Sequence, residues 1–267
     1  MDAATTVELH TGRRMPVLGL GTWELTQDTA ATVRGALERG YRMIDTAVDY
    51  GSQPGIGEAL RRTTVDRGQI FVVTKIEEDD EPLAAMKRDL GELGLAYADL
   101  TLIHRPPPSG AGEALWRGLM RARDDGLVRD IGVSNYSARL VDELAAATGL
   151  MPAVNQVEWT PFGYSDALLR HHRERDIVLQ AYSPLTRGQR LDDEQLEPIA
   201  QKYGTTPAQI LLRWNLQKGT VPLPKANRPE HYEENLEVFD FEIAPEEMEA
   251  LDALNEHYSS LGTLAYI

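Results

Sequence analysis

Apolar residues in this chain follow two alternating patterns. Compact runs at 41–44, 71–74, 99–103, 128–133, 153–157 and 177–181 are rich in Val, Ile and Leu. They are too short for helices and apolar on both alternating faces, which predicts strands covered on both sides. A first strand is expected in LGLGTW (18–23) and a last one in TVPL (220–223). Between the runs the apolar spacing becomes three and four, as at Val33, Ala36 and Leu37, or Leu83, Met86, Leu90 and Leu93. That spacing predicts amphipathic helices over 29–39, 56–62, 82–93, 114–125, 139–148, 164–174, 191–203, 207–217, 230–239 and 245–255. The opening stretch, VELHTGRRMPVLG (7–19), alternates around a Thr-Gly-Arg-Arg turn and predicts a hairpin.

Strand and helix thus alternate about eight times in 267 residues, with no linker or low-complexity tract. The expected fold is α/β, a single (β/α)8 TIM-barrel domain over 1–267 with an N-terminal β-hairpin and extra C-terminal helices. An open doubly wound sheet would want a glycine-rich first turn. Gly19-Leu20-Gly21 lacks the third glycine and the following helix of that motif.

The fold makes the strand ends informative, because barrels of this kind place their chemistry at the C-terminal ends. Asp45, Lys75, His104, Ser134, Gln156 and Tyr182 all fall at such ends, and Tyr50 lies five residues past Asp45. Singly, each has an ordinary reading: a cap, a surface lysine, a satisfied core histidine. Together, an acid holding a lysine beside a phenol describes a way to lower the phenol's pKa toward a useful value.

Composition narrows the partners. Acids number 42 against 27 bases, for a net charge of −15, which argues against nucleic acid or an anionic membrane. Only five of the bases are lysine, a balance that also suits a high-salt cytoplasm. Cysteine is absent, and the six histidines show no ligand spacing, so no metal site is expected. No apolar run reaches membrane-span length and no leader pattern opens the chain, so a cytoplasmic protein is expected, with monomer as the default.

Eight blocks then carry a resemblance: MPVLGLGTW (15–23), GYRMIDTAVDYG (40–51), FVVTK (71–75), DLTLIHRP (99–106), GLVRDIGVSNY (126–136), PAVNQVEW (152–159), AYSPL (181–185) and PLPKANRPEHYEENLEVFDF (222–241). In this order they resemble the aldo-keto reductases over essentially the whole chain. The resemblance implies a catalytic tetrad of Asp45, Tyr50, Lys75 and His104, with Tyr50 as proton donor to a carbonyl oxygen. It further implies a nicotinamide cradle of Ser134, Asn135 and Gln156 with the Tyr182 ring stacked on the cofactor. Thr22, Ser183 and Leu185 join that cradle, and the 183–188 loop is expected to be too short for a deep lid. Lys225, Ala226, Asn227, Arg228, His231, Glu234 and Asn235 match the segment that holds the adenosine end. Ala226 stands where a serine is common, and His231 where an arginine often binds the 2′-phosphate. The implied cofactor is NADPH, with weaker discrimination against NADH than usual. Trp23, Tyr50, His104 and Arg105 are expected to face a small carbonyl substrate. Arg105 replaces a frequent tryptophan, and acids follow Lys75 where an aromatic is frequent. An open rim suited to small polar aldehydes, ketoaldehydes or aldoses is expected. A non-catalytic NADP(H)-binding barrel subunit is the alternative; a barrel isomerase or lyase would not need the cradle.

Overall fold

The computed structural model describes residues 1–25 and 28–267. Strands β1 (Thr6–Glu8) and β2 (Arg14–Pro16) pair antiparallel, with Val7 opposite Met15. Leu9 and Met15 from this hairpin are fully buried against Met43, Leu100, Leu102 and Val154, so the hairpin plugs one end of the main sheet.

The main sheet has eight parallel strands: β3 (Leu20–Gly21), β4 (Met43–Asp45), β5 (Phe71–Ile76), β6 (Ala98–Ile103), β7 (Val128–Ser134), β8 (Val154–Glu158), β9 (Val178–Tyr182) and β10 (Val221–Pro222). Each strand pairs with its neighbours in chain order. The seam between first and last closes through Gly19 N–H to Pro222 O at 3.1 Å and Gly21 N–H to Pro224 O at 3.0 Å, beside a bridge from Gly21 to Lys225. Gly21 is required there: a Cβ at this position would lie 2.7 Å from the Leu223 carbonyl oxygen. The sequence therefore builds a closed eight-stranded barrel with a hairpin at its base.

Outside the barrel lie α1 (Thr29–Glu38), α2 (Gln53–Arg62), α3 (Pro82–Leu93), α4 (Glu113–Asp124), α5 (Ala138–Thr148), α6 (Asp166–Arg173), α7 (Leu196–Tyr203), α8 (Pro207–Gln217), α9 (Pro229–Leu236) and α10 (Pro245–Asp252). Their apolar stripes pack on the strands, as Val33, Ala36, Leu37 and Ile56 do against Leu20, Ile44 and Val72. Among the described residues no helix is long and apolar enough to cross a membrane.

Several helix starts differ from the spacing-based expectation, each for a local reason. α2 begins three residues early because Pro54 fits the first turn of a helix instead of blocking it. α6 starts at Asp166, where the Ser165 hydroxyl accepts from Leu168 N–H at 3.2 Å. The helix expected over 191–203 begins only at Leu196. Upstream, Asp193 accepts from Gln195 N–H at 3.1 Å and from Arg190 at 2.8 Å, a local bonding pattern that competes with a helical turn.

Candidate active site

Strand register brings the polar strand ends together. Asp45 ends β4, Lys75 is the penultimate residue of β5 and His104 follows β6, all on the barrel's C-terminal rim. A short 3-10 turn, Val48–Tyr50, returns the phenol over them. The Lys75 ammonium is fully buried and donates to Asp45 Oδ1 at 2.8 Å, to Thr46 O at 3.1 Å and to the Tyr50 hydroxyl at 3.2 Å. Three acceptors match its three donors. Asp45 Oδ2 accepts from Gln156 Nε2 at 2.8 Å, so its two oxygens are held by different groups. The His104 ring packs edge-on to Tyr50, with centroids 5.9 Å apart.

The electrostatics are those of a desolvated ion pair beside a phenol. Burial opposes the Lys75 charge, but Asp45 and Tyr50 outweigh it and hold the ammonium above its ordinary pKa. For Tyr50, burial pushes the phenol up, and Lys75 pulls it back only in part against Asp45 and Asp49. The expected net lowering is thus corrected: Lys75 acts in the expected direction, and desolvation exceeds it. Tyr50 is held as a neutral O–H donor.

Beside this cluster, Asn135 occupies the left-handed region (φ 65°), which turns its side chain under the Tyr182 hydroxyl. Tyr182 donates to Asn135 Oδ1 at 2.9 Å, while Asn135 Nδ2 donates to His104 O at 3.0 Å and Ser134 Oγ at 3.1 Å. Burial pushes the Tyr182 phenol up as well. Ser134 Oγ donates to Gln156 O at 2.8 Å. Gln156 Nε2 is engaged by Asp45 and by Gln180 Oε1 at 2.9 Å, so its amide N–H groups already serve the cluster.

Most of these groups border one cavity of about 740 Å³, whose lining includes Trp23, Asp45, Tyr50, His104, Arg105, Ser134, Asn135, Gln156 and Tyr182, with Lys75 buried behind it. Ser183, Leu185 and Lys225 continue it along the rim. A second cavity of about 280 Å³ shares Leu185 and Lys225 and reaches His231, Glu234 and Asn235. Thr22 stands behind the wall: its hydroxyl is buried against Asp45 O at 2.8 Å and Ser52 at 2.9 Å. Ala226 is buried, packed in the core beneath α1, and Asn227 and Arg228 do not line either cavity. Arg228 is instead 2.6 Å from His231 Nε2.

Other wall residues carry no sequence signal of their own. Arg187 lies over the Trp23 ring at 4.3 Å and reaches Glu24 at 3.5 Å, so the loop after β9 is tied across the cavity to the loop after β3. Ser183, Thr186 and Arg187 all have positive φ, which concentrates backbone strain in that loop. The C-terminal segment also closes on the rim: Leu261, Thr263 and Ala265 border the cavity. Glu158, at the end of β8, anchors it by accepting from Ser260 N–H at 2.7 Å and from the Ser259 and Ser260 hydroxyls. Among the described residues, Asp49, Glu77 and His104 alone are close enough together to suggest a metal, and His104 and Glu77 already satisfy each other at 2.7 Å.

Known proteins resemble this chain in sequence and in fold. The Aldo/keto reductase family matches residues 17–256. An aldo-keto reductase of Mycobacterium tuberculosis is 43% identical over 260 residues, covering 95% of this chain and 92% of that protein. One from Mycolicibacterium vanbaalenii is 43% identical over 260 residues, covering 95% and 93%. Among solved structures, an aldo/keto reductase from Brucella melitensis superposes with a TM-score of 0.91 at 36% identity, covering 96% of this chain and 99% of that one. A Bombyx mori aldo-keto reductase in complex with NADP gives a TM-score of 0.90 at 32% identity, covering 96% and 94%.

Proposed function

The chain belongs to the aldo-keto reductase family, oxidoreductases acting on carbonyl groups, and from that premise we propose that it reduces small aldehydes and ketones with NADPH, Tyr50 serving as the general acid. The observation that carries the proposal is the buried Asp45–Lys75–Tyr50 chain opening on the large cavity beside His104. A carbonyl oxygen that gains negative charge needs a proton donor within hydrogen-bond reach, and a neutral phenol meets that need. The Lys75 ammonium stabilises the phenolate left behind, and Asp45 keeps Lys75 charged and aimed. His104 lines the same wall and orients the oxygen.

The residues present fit a dinucleotide. Asn227 Oδ1 and Asn235 Nδ2 are buried with no hydrogen-bond partner of ordinary geometry among the described residues, and Asn235, which also faces the buried Tyr41 hydroxyl, borders the second cavity. Asn235 and Glu234 would take the adenine end, and Lys225 and His231 would face the 2′-phosphate. Ser134 and Asn135 would hold the carboxamide, with Tyr182 as the stacking face. Gln156 would join them by its free carbonyl edge. When bound, the reduced nicotinamide supplies the hydride. An imidazole at 231 attracts a phosphate dianion less than a permanently charged guanidinium would, so NADH is expected to be accepted at reduced affinity.

Polar and charged groups, including Asp49, His104 and Arg105, share the substrate half with Trp23, which suits small polar carbonyl compounds: aldehydes, ketoaldehydes or aldoses. We place this enzyme as a single-domain cytoplasmic monomer. Titration with NADPH followed by tryptophan fluorescence tests the reading, since Trp23 borders the cavity. Saturable quenching is expected; a flat response would remove the dinucleotide and the reductase with it.

A further inference from the structure

One pair at the cavity wall has no part in proton donation by Tyr50. Glu77 follows the last residue of β5, and its Oε1 lies 2.7 Å from His104 Nδ1. Asp49 Oδ1 is 3.9 Å from the same nitrogen. The histidine backbone is fixed at both ends, its N–H donating to Ile76 O at 2.8 Å and its carbonyl accepting from Asn135 at 3.0 Å. Glu77 is only 19% exposed in its side chain. Its burial would favour the acid, yet the hydrogen bond and charge of His104, with help from Arg105, hold its carboxyl below the usual range.

An ionised carboxylate only accepts hydrogen bonds, so the proton between the pair belongs to Nδ1. A neutral ring with its proton on Nδ1 has only a lone pair at Nε2. That lone pair cannot donate to a substrate carbonyl oxygen. An imidazolium can, since both nitrogens then carry protons. We propose that Glu77 is a positioning residue that locks the His104 proton on Nδ1, so that His104 donates to a carbonyl substrate only as the imidazolium and accepts from an alcohol only when neutral. This rests on the reductase reading of the same site. It gives carbonyl reduction and alcohol oxidation opposite pH preferences through one ring. The charged and titratable groups facing that ring are Glu77, Asp49, Tyr50 and Arg105, with Lys75 and Asp45 beyond the phenol.

The test is nitrogen-15 NMR of the His104 ring across pH, in the wild-type enzyme, Glu77→Gln and Glu77→Asp. The wild-type neutral ring is expected to carry its proton on Nδ1. With the carboxylate gone, the neutral ring of Glu77→Gln should carry its proton at least in part on Nε2, and Glu77→Asp should restore the Nδ1–H form. In parallel, the loss of kcat/KM for a neutral aldehyde toward high pH should weaken in Glu77→Gln, whose neutral ring can donate from Nε2. The change is expected in KM more than kcat, with NADPH affinity unchanged. A neutral ring in the Nε2–H form in wild type, or the same tautomer in wild type and Glu77→Gln, overturns the proposal. The NMR arm needs no substrate, so failure of the enzyme to turn over any carbonyl would count against the reductase reading and not against the role of Glu77.

Discussion

Replacing Lys75 with methionine probes the site and the fold together. The ammonium makes three hydrogen bonds, to Asp45 Oδ1 at 2.8 Å, Thr46 O at 3.1 Å and the Tyr50 hydroxyl at 3.2 Å. Methionine fills a similar volume, so cavity formation is a minor part of the cost. The main part is electrostatic: Asp45, at 5% side-chain exposure, would be left with Gln156 as the partner of one oxygen and nothing for the other. Removing one member of a buried pair costs about 3–5 kcal/mol, against total domain stabilities of about 5–15 kcal/mol. At about 2–4 °C per kcal/mol for a chain of this size class, Tm should fall by roughly 6–20 °C. Asp45→Asn alone should also destabilise, because it leaves the ammonium uncompensated. The double variant Asp45→Asn/Lys75→Met should be more stable than the sum of the two losses implies, since neither charge then stands alone. Thermal unfolding at neutral pH, followed by circular dichroism on all four proteins, gives the coupling directly. Strict additivity of the two single losses, or a Tm in Lys75→Met equal to wild type, would refute the buried-pair account.

The same geometry sets other expectations. The raised Lys75 pKa contributes stability that is fully present below the unfolded value of about 10.4 and is lost as pH climbs through the folded one. Denaturant titrations between neutral and strongly alkaline pH should show that decline, and Lys75→Met should lack this part of it. His231→Arg should raise the NADPH-over-NADH preference by about tenfold, the worth of about 1.4 kcal/mol of added phosphate contact, read from KM for each cofactor; an unchanged ratio would take His231 out of the phosphate site. The acid excess predicts higher stability in multimolar KCl than in dilute buffer, and equal midpoints would sink the high-salt interpretation.

The barrel was legible because its signal is periodic and repeated. The 82–93 and 207–217 helices were placed to the residue, each opening on Pro after a capping residue. Strands β3 and β10, two residues each, were visible mainly through their place in the alternation. Features set by contacts distant in sequence were not legible. Glu158 looks like any strand-end acid until Ser259 and Ser260 arrive from about a hundred residues away. Arg187 reads as a loop cation until Glu24 and Trp23 fold beneath it. Glu77 was the nearer miss: it lies two residues past Lys75 in an acidic run, and only the pairing of β5 with β6 shows that it faces His104. The direction of the Tyr50 shift was out of reach for a related reason, since it depends on how deeply the phenol is buried.

The most direct test of the central claim is absorbance at the reduced-nicotinamide band. Wild-type enzyme and Tyr50→Phe are each given NADPH and a panel of small aldehydes, ketoaldehydes and aldoses. Substrate-dependent loss of NADPH is expected with wild type, and a kcat lower by about 100-fold or more in Tyr50→Phe with cofactor affinity retained. Near-full activity in Tyr50→Phe would contradict the assignment of the acid, and tight NADPH binding with no turnover on any compound would contradict catalysis itself.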